Sequence, residues 1–89
     1  MQESGVMDQT IDLRGEPGSR VHTAAFYAVK DLRRGDRLVL LTAEDPSLVM
    51  ASIDLQLRGT IAAAIGPADG GWRTEVTLRD DAVPAGIVD

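Results

Sequence analysis

At 89 residues the chain holds one domain with one small core, and its 44% hydrophobic and 26% charged residues exclude a disordered tail. The absence of cysteine excludes disulfide staples and thiolate metal sites. A net charge of −5 argues against nucleic acid and anionic lipid as partners.

Aromatic residues are limited to Phe26, Tyr27 and Trp72, so aliphatic side chains carry the packing and no row of stacking rings serves a single-stranded nucleic acid. No apolar run approaches the roughly 18–20 residues of a membrane span, and the first nine residues lack a charged-then-apolar leader pattern. The expectation is a cytoplasmic protein that engages no membrane. Residues 1–9 and 81–89 are polar or aperiodic and read as flexible ends around a single domain over 10–80.

"TIDLR" (10–14) alternates Ile11 and Leu13 against Asp12 and Arg14, which predicts a strand. Residues 15–18 predict a turn, with Ser19 as the cap of a helix. Val21, Ala25, Ala28, Val29 and Leu32 then form an apolar stripe at helical spacing, and Gly35 supplies a left-handed residue beyond the helix end. The basic residues between Arg20 and Arg37 read as a solvated helix face.

The run "RLVLLTA" (37–43) predicts a central strand. Asp45-Pro46 is a helix-start signal, with Asp45 as N-cap and Pro46 at the first helical position. In the helix that follows, Leu48, Val49, Ser52, Ile53 and Leu55 are expected on one broad face, and Gly59 closes it. "TIAAAIG" (60–66) predicts a strand and "PADGG" (67–71) a turn. "WRTEVTLR" (72–79) alternates cleanly, which places Trp72, Thr74, Val76 and Leu78 on the buried face and Arg73, Glu75, Thr77 and Arg79 on the wet one.

The order β-α-β-α-β-β predicts an α/β fold of the α+β two-layer kind: a four-stranded mixed sheet with two helices on one face. Its first two strands run parallel through a right-handed crossover and its last two form a hairpin. That topology sends both helix starts, 15–19 and 44–46, to one rim of the sheet. Unpaired N–H groups and positive dipole ends gather there, which makes the rim the place for a ligand or partner.

The order of elements, with "IDLRG" (11–15) in the first strand, resembles the TusA/SirA-like superfamily of small sulfur carriers. In that superfamily a Cys-Pro-x-Pro motif begins the first helix, and Gly18, Ser19, Arg20 and Val21 stand at its positions here. Gly18 thus occupies the place of the persulfide-bearing thiol, so sulfur transfer does not carry over. The chain is more similar to a cysteine-less branch, the domain-of-unknown-function family 2249. The match runs through Arg14-Gly15, His22, Phe26, Leu32 and Gly35, then Asp45-Pro46 and Trp72-Arg73. It departs at residues 16–19, where that family has a proline-rich run, and at Glu44, where it has a histidine. The resemblance implies an accessory domain in a redox or nitrogen-oxide setting and no reaction.

Candidate binding residues are Arg14, Gly18, Ser19, His22, Asp45, Trp72 and Arg73. His22 is the sole histidine; it reads either as a ligand-facing imidazole or as a side chain that bonds a loop carbonyl and fixes the turn. As a metal ligand it is a weak candidate, since only carboxylates stand by to complete a set of three or four. Asp12 and Arg14 share a face and can pair in solvent. Ser19 lacks the elbow pattern of a hydrolase nucleophile. No catalytic residue, resident metal or cofactor is assigned. The chain reads as a non-enzymatic binding module that meets a protein partner or small ligand at the rim. The alternative is a redox or metal-dependent accessory enzyme that uses His22.

Overall fold

The computed structural model describes residues 8–79. The ends expected to be flexible lie outside this range except at Asp8 and Gln9, which belong to the first strand. In chain order the elements are β1 (Asp8–Asp12), α1 (Gly18–Lys30), β2 (Arg37–Thr42), α2 (Ser47–Gln56), β3 (Ile61–Ala68) and β4 (Gly71–Leu78). They build one four-stranded sheet in the order β1-β2-β4-β3. β1 and β2 are parallel, with Ile11 beside Leu40, and β4 pairs antiparallel with both β2 and β3. The expected fold class, element order and mixed sheet are all present.

Alternation along the strands decides what each face carries. Leu38, Leu40, Thr74 and Val76 point to the helices and are buried, together with Leu13 and Ile61. From α1, Ala25 and Val29 are buried on this face, and Val21, Ala28 and Leu32 pack beside them. From α2 come Met50 and Ile53. Each large aliphatic side chain sealed here contributes about 1.5–3 kcal/mol. The opposite sheet face carries a chain of charges instead: Asp8 to Arg37 (3.8 Å), Arg37 to Glu75 (3.4 Å) and Glu75 to Arg73 (3.6 Å).

Six local expectations need correction. β1 spans 8–12, two residues earlier than the alternation of 10–14 implies, although Leu13 still donates its N–H to the Leu41 carbonyl at 2.7 Å. Ser19 does not cap α1: the helix begins one residue before it, behind Pro17, and the Ser19 carbonyl accepts a bond from Thr23 Oγ1. Asp45 lies one position before the N-cap, because the Pro46 carbonyl accepts the first helical bond, from Met50. β3 continues through Pro67 and Ala68, which leaves Asp69 and Gly70 as a two-residue turn.

The fifth correction concerns α2. Leu48 and Leu55, expected on the buried face, are 86% and 80% exposed. This helix has apolar residues on nearly every side, so its spacing selects no single stripe, and contact with the sheet makes the choice. Gly59, at φ 71°, closes α2 as expected, and its N–H bonds the Asp54 carbonyl. A sixth correction is Gly35, expected as the left-handed residue that ends α1: the helix stops at Lys30 with Asp31 as its C-cap, and Gly35, at φ 93°, lies instead in a separate turn that joins Arg33 to Asp36.

Candidate functional site

The parallel β1–β2 pair brings the starts of α1 and α2 side by side, and residues of both loops line one cleft of about 160 Å³. Leu13, Val21, Pro46 and Val49 form apolar walls. Thr42 is buried beneath them, its hydroxyl donated to the Glu44 carbonyl at 2.8 Å. Carboxylates stand at the mouth: Glu16 before α1, and Glu44 and Asp45 before α2. No basic side chain is among the described residues that line the cleft.

Asp45 is the best-held of these acids. Its Oδ1 accepts the Ser47 N–H at 2.9 Å and the Ser47 hydroxyl, and those two bonds hold its carboxyl below the ordinary value of 3.8. A helix start offers partial positive charge to an anion. Here Asp45 consumes part of that offer and Glu16 and Glu44 oppose it, so the cleft favours a neutral or cationic group over an anion.

Gly18 also lines the cleft, and a β-carbon there would have nothing within 4 Å. The start of α1 is therefore roomy at Gly18.

Of the seven candidate residues, the fold brings Gly18 and Asp45 together in the cleft. Ser19 is exposed on a separate shallow surface with Arg20 and Thr23. Arg14 turns to the other side, where its guanidinium grips Asp12 through Nε (2.9 Å) and Nη2 (2.7 Å) and donates from Nη1 to the Asp69 carbonyl (3.2 Å). This pairing, chiefly the side-chain hydrogen bonds, lowers the Asp12 pKa to about 2. Arg73 belongs to the charged face, and Trp72 is half-buried opposite Thr42.

His22 is half-buried and does not line the cleft. Its Nε2 is sealed from solvent with no hydrogen-bond partner among the described residues, so that nitrogen neither reaches the rim nor bonds a loop carbonyl. Among the described residues no three His, Asp or Glu side chains converge to hold a metal ion. None of the described helices is long and apolar enough to cross a membrane.

Glu16 and Glu44 fall within the helix-start loops assigned to the rim but were not among the seven candidate residues, and Thr42 and Val49 were not singled out from the sequence at all. The two glutamates had a signal, since each flanks a helix start. Thr42 and Val49 had none, because their place in the cleft depends on how α1 and α2 lie across the sheet.

Comparison with protein-family models, curated proteins and solved structures finds no match to this chain.

Proposed function

We propose that this chain is a non-catalytic, TusA-like accessory domain that binds a protein partner through the rim cleft between the starts of α1 and α2. One observation carries this reading: apolar walls from Leu13, Val21, Pro46 and Val49 lie directly beneath the acidic mouth of Glu16, Glu44 and Asp45. Such a site suits an aliphatic side chain followed by a basic one, with the apolar part in the cleft and the cation at its mouth. Sulfur carriage is no part of the proposal, because the chain has no thiol. The resemblance to the cysteine-less branch would put the partner in a redox or nitrogen-oxide setting in the cytoplasm. The reading in which His22 serves a metal or redox group gains nothing from a sealed Nε2.

The test is a titration of isotope-labelled protein with an acetylated, amidated hexapeptide of alternating leucine and arginine, followed by amide NMR. Shifts are expected at Gly18, Ala43 and Asp45, and they are lost in Gly18→Arg, which fills the cleft mouth. Shifts that cluster around Arg73 on the opposite face, or no shifts at all, overturn the reading.

A further inference from the structure

The two edges of the sheet differ in chemistry. β1 presents Asp8, Gln9, Thr10 and Asp12, whereas β3, "IAAAIGPA", carries no charge along its whole length. No described strand pairs with the outer edge of β3. Sheet proteins ordinarily block such an edge with charge, and this chain has done so on one side only.

The hydrogen-bond phase shows what the β3 edge offers. The Arg79 N–H bonds the Thr60 carbonyl at 2.9 Å, so alternate residues from Thr60 onward, through Ala62, Ala64 and Gly66, face β4. Ile61, Ala63 and Ile65 therefore direct both N–H and C=O outward, and Pro67, next in the series, has no N–H to leave unmet.

We infer that β3 pairs antiparallel with β3 of a second copy, about a two-fold axis at Ala63, to give a continuous eight-stranded sheet. This register sets Ala63 opposite itself and Ile61 opposite the partner's Ile65. It is the one symmetric register in which all three outward residues exchange both of their bonds. A shift by one residue toward either end strands Ile65 beyond the partner's strand, or faces Ile61 with a proline.

Side chains agree with the pairing. Ile65, 37% exposed, enters the groove that Met50, Ala51, Asp54 and Ile61 line along the partner's β3. On the other face Ala62 meets the partner's Ala64, and alanines let the strands approach. The flanking charges in the groove, Asp54 and Arg79, are of opposite sign. Assembly stops at two copies, because both outer edges are then the charged β1.

An interface of one strand and one groove is small, so the dimer is concentration-dependent. Each copy carries −5, so added salt tightens the association by screening.

Sedimentation of the full chain at rising concentration should show the mass moving from 9.5 kDa toward twice that value. Because the chain lacks cysteine, single-cysteine variants then read the register. Ala63→Cys places two thiols on α-carbons about 5.5 Å apart, within disulfide range, and should cross-link rapidly under mild oxidation. Ala62→Cys and Thr10→Cys should not. Ala64→Lys, or Ala62→Lys if that variant loses its helical circular dichroism, should abolish the dimer and keep the fold. A monomer at every concentration overturns the inference, as does a dimer that survives the lysine variants or one in which Ala62→Cys cross-links as fast as Ala63→Cys.

Discussion

Gly71 lies against the backbone of Thr42 so closely that a β-carbon on it would overlap the Thr42 carbonyl oxygen and sit 3.0 Å from the Ala43 α-carbon. Its φ of 153° is also one that side chains avoid. The contact seats the first residue of β4 beside the last residue of β2, directly below the cleft. Gly71→Ala must push the two strands apart. Overpacking of this kind costs roughly 1–3 kcal/mol, with backbone strain added to it. Urea unfolding should show the loss, whereas Gly18→Ala, in open space, should leave the midpoint nearly unchanged.

Acid should unfold the chain partly through Asp12. The folded pKa, about 2, lies below the ordinary 3.8. The sign follows from linkage: stabilisation by the Arg14 pair is fully present above the unfolded pKa and is lost as the pH falls from 3.8 toward 2. Asp12→Asn should flatten the dependence of Tm on pH across that window. Because the pair is exposed, added salt should shrink the difference between variant and parent.

Asp45→Ala removes the acceptor of the Ser47 N–H and hydroxyl. Tm should fall, and hydrogen exchange should quicken at the Ser47 amide while the centre of α2 stays protected. Ser47→Ala keeps the backbone bond and should cost less. An unchanged exchange rate at Ser47 in Asp45→Ala would show that the bond does not hold the helix start.

Thr74 is fully buried, and its hydroxyl has no partner among the described residues. Thr74→Val keeps the shape and removes the stranded group, so it should stabilise the protein by about 1 kcal/mol. A loss of stability in that variant would indicate a buried water on the hydroxyl.

His22→Phe tests the sealed imidazole in the same way. With Nε2 buried and without a partner among the described residues, the variant should keep the fold with an unchanged or higher Tm, and peptide binding at the cleft should be unaffected. Loss of binding with the fold intact would return His22 to the site.

Much of the fold was legible in local patterns. Strict alternation in 72–79 assigns Thr74 and Val76 to the core, and both are fully buried. The stripe of Val21, Ala25 and Val29 locates the inner face of α1. The strand–helix–strand order implies a parallel pair, and hence one rim with two helix starts; Gly18 and Asp45 meet there for that reason. Individual helix starts were less legible. A capping residue one or two positions away from the true start has the same local chemistry, so Ser19 and Asp45 were displaced from their expected roles by one or two residues.

The sequence by itself determined the element order, the two faces of each regular strand and the location of the rim, because each rests on spacing within a few residues. Tertiary structure alone decided that β4 enters between β2 and β3, which leaves the uncharged β3 at an edge. It also decided that Met50 and Ile53 face the sheet while Leu48 and Leu55 face solvent, and that Thr42 and Val49 line the cleft while the His22 ring nitrogen is sealed away from it. The physical reason is range. A helix apolar on every side, or a strand of alanines, has no local preference among its possible neighbours, and only the combined packing of distant segments gives it one.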